Sequence, residues 1–482
     1  MNTRPPAEIG MTLDEVDTPA LVIDLDVFER NLRRLPERIA GTGVRARPHA
    51  KTHKCPVIGL KQVALGAIGV CVQKVSEAEA MVQGGVPDVL VTNEVVGRQK
   101  LRRLAALAHT ARIGVCADDP SQIRALDEAA GEAGVTLPVY VEVNMGGNRC
   151  GVEPGEPALA LARQITQAPH LAFGGLQAYH GSAQHLRGWE ERRQAIAGAA
   201  EKAGRTRDLL ARHGIECLTV TGAGTGTFEF ESASGVYTEL QCGSYIFMDA
   251  DYGRNRDRDG EPTKAFEPSL FVWATVMSRP AEGRAIVDAG LKALAFDSGP
   301  PLVCDEPAAT YERASDEHGR FPVPAATNRL GLGDKIWLNP RPLRPDRQSL
   351  RLVCLRAPQP RRAALADHRP RCRLLIRVEA YLWHSDIPAE ESHETRANRA
   401  QRSRHFGWDA GFSAAHGCRF ARCSTTSKAG TPSTSFCANS RRCHGSRRSL
   451  CSTSRVKPSR PMRLLLDEHL PIALSAELQV MP

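Results

Sequence analysis

Between Leu21 and Ala250, eight short β-branched runs are separated by longer stretches of helical period, and this alternation restricts the fold more than any other feature of the chain. The runs are Leu21 to Asp26, Val44 to His49, Ile68 to Gln73, Val89 to Asn93, Ile113 to Ala117, Val139 to Asn144, Gly174 to Tyr179 and Leu218 to Gly222. Helical periods such as Phe28 to Ile39, Arg98 to Ala108 and Gln122 to Ala133 lie between them. Parallel strands need such crossovers, so the pattern predicts an α/β fold, a closed parallel (β/α)8 TIM barrel over residues 16–250. An open doubly wound sheet is the alternative, since periodicity does not report closure. No G-x-G-x-x-G follows the first run, which argues against a dinucleotide fold.

After Asp251 the pattern changes to strands without long helices: Phe271 to Met277, Ala285 to Val287 and Lys335 to Leu338. This predicts a smaller antiparallel β domain over residues 251–340. The net charge of +9 divides sharply at Pro340. Residues 341–482 hold 26 Lys and Arg against 11 Asp and Glu, whereas residues 1–340 hold 37 against 43. Seven of the 14 cysteines fall in that shorter tail, and no C-x-x-C pair suggests a zinc ribbon. There is no secretion signal and no apolar run long enough to cross a bilayer, so the expectation is a cytoplasmic protein without a membrane partner.

In a barrel, chemistry sits at the C-terminal ends of strands and in the loops beyond them. Lys51, within R-P-H-A-K-T-H-K (47–54), falls just past the second run, flanked by His49 and His53. A lysine kept partly desolvated there can hold a carbonyl cofactor as a Schiff base; the plainer reading is a solvated basic loop. Gln73, Lys74, Asn93, Glu94, Arg149, Tyr179, His180 and His185 fall at the same rim. Thr221 to Thr227 (TGAGTGT) supplies closely approaching backbone N–H groups and hydroxyls suited to a phosphate, and Gln241 to Tyr245 is a second such loop. An aldehyde-binding lysine with a phosphate loop points to pyridoxal phosphate.

The segments RPHAKTHKCP (47–56), QKVSE (73–77), TNEVVG (92–97), NRCGV (148–152), GLQAYHGSAQH (175–185), TGAGTGT (221–227) and ELQCGSYIFMDADY (239–252) occur in an order that resembles the D-threonine aldolases. The chain is also similar to the 3-hydroxy-D-aspartate aldolases and, more distantly, to the D-serine dehydratases. The resemblance covers residues 16–340 and implies an alanine-racemase-type barrel with a β domain. It implies Lys51 as the Schiff-base lysine, with Gln73, Arg149, Tyr179, Thr221, Gly224, Thr225, Gly226, Gly243 and Ser244 as cofactor-binding residues. His185 is implied as the base near the substrate's β-hydroxyl. The reaction implied is retro-aldol cleavage of a small D-3-hydroxy amino acid to glycine and an aldehyde, in a homodimer. A dehydratase acting on D-serine or 3-hydroxyaspartate, or a cofactor-binding protein without turnover, are the alternatives.

The family also uses a divalent metal (manganese, magnesium or zinc), held by a Gly/Ser-His-x-Asp-Pro-Thr motif just after the strand matching Lys335 to Pro340. Here the chain reads RPLRPDRQSL (341–350), so the metal ligands are expected to be absent. Codons compatible with Arg341 to Cys354, read one nucleotide later, spell GHCDPTVNLYDWYV, which resembles the missing segment. Residues 341–482 are therefore expected to be a frameshifted tail without a fold, leaving the β domain truncated. Asp316, Glu317 and His318 are candidates near the metal position, or else a polar turn. A nucleic-acid role for the basic tail is not favoured, because it has few aromatics and no groove-reading motif.

Overall fold

A computed structural model describes residues 6–8, 11–304, 306, 309–323, 330–341 and, as backbone, 352–355. Sixteen strands are formed by these residues: β1 (Ala20–Asp24), β2 (Arg45–Ala46), β3 (Val70–Val72), β4 (Asp88–Glu94), β5 (Arg112–Ala117), β6 (Leu137–Glu142), β7 (Leu171–Gln177), β8 (Val220–Gly222), β9 (Glu239–Leu240), β10 (Leu270–Ala281), β11 (Arg284–Val287), β12 (Leu302–Val303), β13 (Arg313–Ala314), β14 (Gly319–Pro322), β15 (Lys335–Asn339) and β16 (Leu352–Leu355). The helices are α1 (Leu25–Ile39), α2 (Pro56–Ala64), α3 (Val75–Gln83), α4 (Arg98–Leu107), α5 (Pro120–Ala133), α6 (Glu156–Gln167), α7 (Trp189–Arg212) and α8 (Phe228–Ser232).

The fold is α/β, with one parallel sheet in the order β2-β9-β8-β7-β6-β5-β4-β3 and a second, largely antiparallel sheet. Val89, Leu90 and Val91 of β4 and Val139, Tyr140 and Val141 of β6 are all buried. Runs apolar at successive positions are what a strand covered on both faces requires. Helix boundaries follow local chemistry: Asp119 caps α5 by accepting the Ser121 N–H, Pro120 occupies its first turn, and Gly134 ends it at φ +68°.

All eight predicted runs form strands, but the first belongs elsewhere. β1 pairs antiparallel with β10, Ala20 opposite Trp273 and Ile23 opposite Leu270, and so lies in the second sheet. Its eighth place in the parallel sheet is taken by β9, whose two residues are too short to show a period. Among the described residues the parallel sheet is an open path and not the closed ring of paired strands expected. Its ends, β2 and β3, share no paired run; they meet at one bridge, His49 to Cys71, with Cys71 N–H donating to Pro48 O at 2.8 Å and Ile68 N–H to Ala46 O at 3.0 Å. Pro48 has no N–H to extend a ladder, and the chain turns at Ala50 into a 3-10 turn.

The second sheet runs β12-β15-β10-β11-β14-β13, with β1 beside β10 and β16 parallel to β1. Its core is shared with α1: Phe28, Leu32 and Leu35 pack with Phe247, Val272 and Ile336 in one buried cluster, and the Phe28 and Phe247 rings lie 5.8 Å apart. The short strand β16 falls inside the span expected to have no fold; the rest of that span after Arg341 lies outside the described residues. Among the described residues no helix is long and apolar enough to cross a membrane.

Candidate active site

The C-terminal ends of the parallel strands surround a cavity of about 440 Å³, counted to its open mouth. Lys51, Gln73, Arg149, Tyr179, Gly224, Thr225, Gly243 and Ser244, eight of the expected site residues, line it. Lys51 stands on the 3-10 turn Ala50–Thr52, where the Nδ1 atom of His49 accepts the Lys51 backbone N–H at 3.3 Å. His49 is buried, and burial together with the charge of Lys51 holds its pKa well below the ordinary value, so the ring is neutral. Its Nε2 lies 2.8 Å from the Gln73 side-chain nitrogen and 3.2 Å from Thr92 Oγ1. The strand-end residues thereby fix the turn that carries the lysine. Lys51 itself is exposed, not partly desolvated as expected, while it lines the cavity.

Tyr179 forms the wall between two cations. Lys51 Nζ is 6.0 Å and Arg149 Cζ 5.6 Å from its ring centroid, within the range of cation–π attraction. Burial pushes the Tyr179 phenol up to about 12, so it stays protonated at neutral pH. Opposite lie the loops after β8 and β9. A Cβ at Gly243 would stand 2.7 Å from Thr52 Oγ1 and 2.8 Å from His49 O, and one at Gly224 2.3 Å from Gln184 Oε1. At Gly243, where the contact includes the His49 backbone, only glycine permits this close approach. Among the described residues Thr225 Oγ1 is buried without a hydrogen-bond partner, and Thr225 lines the cavity. A buried hydroxyl left unsatisfied beside a tight backbone cradle fits the anionic end of a ligand whose other end meets Lys51.

Three expected residues do not line this cavity. Thr221 is turned into the core, accepting from Gln241 Nε2 at 2.8 Å. Gly226 donates its N–H to Gln184 Oε1 at 3.1 Å and faces a neighbouring cavity beside Arg38 and Trp189. His185 stands behind the wall: its ring stacks on Tyr252 at 5.5 Å and 29°, and Tyr252 lines the cavity. Thr92, Gln177 and Tyr252 are lining residues that the sequence reading did not single out. A polar residue at the inward position near a strand's C-terminal end was the available signal for the first two.

The expected absence of metal ligands is overturned. Among the described residues, ligand atoms of Glu94, Asp118 and Cys150 all lie within 4.8 Å of one another. Adjacent strands β4 and β5 end beside each other, and the loop after β6 returns through the Val143–Val152 bridge, so residues far apart in sequence converge there. Gly151 N–H donates to Asp118 Oδ2 at 2.9 Å, and Arg149 Nη2 lies 3.5 Å from Glu142 Oε1. Burial, then the negative charge of Glu94, pushes Glu142 up to about 8. Asp316 and Glu317 instead pair with Lys292 at 3.7 and 3.2 Å, on the surface turn that also carries His318.

Over residues 23–251 the chain matches the family described as alanine racemase, N-terminal domain, and over residues 269–341 the serine dehydratase domain family. The D-threonine aldolase of Arthrobacter sp is 50% identical over 336 residues, which are 70% of this chain and 88% of that protein. The 3-hydroxy-D-aspartate aldolase of Paracoccus denitrificans (strain Pd 1222) is 44% identical over 339 residues, 70% and 87% of the two chains. The crystal structure of D-threonine aldolase from Filomicrobium marinum superposes with a TM-score of 0.70 at 52% identity, covering 72% of this chain and 95% of that one.

Proposed function

Because the chain belongs to the family of D-threonine aldolases and 3-hydroxy-D-aspartate aldolases, pyridoxal-phosphate-dependent lyases on the alanine-racemase fold, we propose that its site cleaves small D-3-hydroxy amino acids between Cα and Cβ, releasing glycine and an aldehyde. The observation that carries this reading is the convergence of Lys51, Arg149, Tyr179, Thr225, Gly243 and Ser244 on one cavity from five separate segments.

Pyridoxal phosphate, when bound, supplies an electron sink for the charge left on Cα. Lys51 would hold its aldehyde carbon, and Gln73 would fix the His49 turn beneath that lysine. Arg149 would be the cation for its phenolic oxygen, and Tyr179 would pack beside it. Gly224, Thr225, Gly243 and Ser244 would hold the phosphate, Thr225 through the hydroxyl that now has no partner. Gly226 and Thr221 support that loop from behind. His185, which stacks on the lining residue Tyr252 beside this cavity, would remove the proton of the substrate's β-hydroxyl.

The same reading takes residues 16–250 as the cofactor-binding domain, its sheet closed into a (β/α)8 barrel through the His49–Cys71 bridge, and residues 251–340 as the β domain. Residues 341–482 are read as frameshifted, which is supported by the end of the second family match at residue 341. A homodimer in the cytoplasm completes the proposal.

Incubating the purified chain with pyridoxal phosphate and D-threonine should yield glycine and acetaldehyde, and Lys51→Ala should abolish both the borohydride-trappable yellow adduct and turnover. Ammonia and a keto acid as products would instead support a dehydratase. An adduct that survives in Lys51→Ala would overturn the site assignment.

A further inference from the structure

We propose that Asp251 is the positioning residue of the His185 base, accepting the proton on Nδ1 and so leaving Nε2 as the atom that takes the substrate's proton; this rests on the reading of His185 as the base. His185 Nδ1 lies 2.7 Å from Asp251 Oδ2. The imidazole side chain is 48% exposed while the carboxylate is 2% exposed, so one ring edge is accessible to a small molecule and the other is tied to the protein interior.

The carboxylate is held on every side. Arg187 Nη2 donates to its other oxygen, Oδ1, at 2.5 Å. Arg187 Nη1 donates to the Asp251 carbonyl and to Asn255 Oδ1, both at 2.8 Å. Arg254 Nη1 lies 3.6 Å from Oδ1. The backbone is pinned as well, since Asp249 Oδ1 accepts the N–H groups of Asp251 at 3.0 Å and Tyr252 at 2.8 Å. The hydrogen bond sets the imidazole's rotation and the stacking on Tyr252 sets its plane. Held by two arginines, the Asp251 carboxylate orients the ring and selects its tautomer.

The arrangement makes Asp251→Asn a directed test. Arg187 continues to require an acceptor at the Oδ1 position, so the new amide presents its NH₂ group to His185 and forces the proton onto Nε2. The side chain keeps its size, and the base loses its lone pair on the substrate side. The expected result, in the full chain loaded with cofactor, is a fall in kcat of about 100-fold or more, with KM and the cofactor's absorption band unchanged. The unsubstituted chain should also show a downfield imidazole N–H proton resonance that disappears in both Asp251→Asn and His185→Ala. Its presence in the unsubstituted chain is read without turnover. Its absence from the unsubstituted chain, or a kcat in Asp251→Asn within about threefold of normal, overturns the proposal. If His185→Ala is impaired and Asp251→Asn is not, only the positioning role fails; if His185→Ala retains full activity, the base reading itself fails.

Discussion

Arg47 Nε lies 3.0 Å from Glu239 Oε2, and the two side chains are 3% and 2% exposed. Arg47 also donates to Asp88, so one guanidinium joins β4 and β9 to the segment just after β2. The charges of Glu239 and Asp88 outweigh burial and raise its pKa, keeping it ionised. This residue begins the same basic stretch that contains Lys51, yet it serves the sheet and not the cavity.

Removing one partner of a buried pair leaves the other charge uncompensated. Arg47→Ala is expected to lower unfolding free energy by roughly 3–5 kcal/mol, whereas Arg205→Ala, which breaks an exposed pair on α7, should change it by about 0.5 kcal/mol or less. Urea denaturation of the two variants checks the contrast, and equal midpoints would refute it.

Glu231 gives a pH signature. It is buried on α8, accepts from Thr227 Oγ1 at 2.7 Å, and burial pushes its carboxyl up to about 8 from the ordinary 4.5. Between those values the unfolded chain has lost the proton that the folded chain keeps, so this group makes stability fall as pH rises from 4.5 to 8. Glu231→Gln should remove that slope. Denaturation midpoints at pH 5 and pH 8 should lie closer together in the variant, and an unchanged separation would count against a neutral carboxyl.

Gly243→Ala should weaken pyridoxal phosphate binding by about tenfold or more, because the added Cβ meets Thr52 and His49 on the turn that carries Lys51. Gly198→Ala, in α7 with nothing within 4 Å of the added atom, should leave binding unchanged and stabilise the fold by about 0.5–1 kcal/mol. Absorbance titration and thermal melts separate the two.

Thr225→Val keeps the shape of the loop and deletes the unpartnered hydroxyl. Cofactor affinity is expected to drop by about 1–3 kcal/mol, the cost of losing a hydrogen bond to a charged group, with little change in melting temperature of the cofactor-free chain. An affinity equal to the unsubstituted chain would remove Thr225 from the proposed phosphate site.

The chain's local pattern was sufficient to predict the eight early strands, the change of architecture after Asp251 and a rim carrying Lys51, Gln73, Arg149 and Tyr179. Those features depend on side-chain period and on where strands stop, both of which are local. Partner choice is not local. β1 is as apolar as its neighbours, and only the surfaces offered by β10 and α1 draw it into the other sheet. Thr221 and Gly226 looked equivalent to Gly224 and Thr225 within one loop, and the direction of each was decided by Gln241 and Gln184 packing from elsewhere. The convergence of Glu94, Asp118 and Cys150 likewise exists only because β4 and β5 end side by side and the loop after β6 folds back against Asp118. Sequence alone determined the longer strands of the first 250 residues, several of their helices and which residue types reach the rim; tertiary structure decided the short strands and which of those residues face one another, because contact between distant segments is set by packing and not by their spacing along the chain.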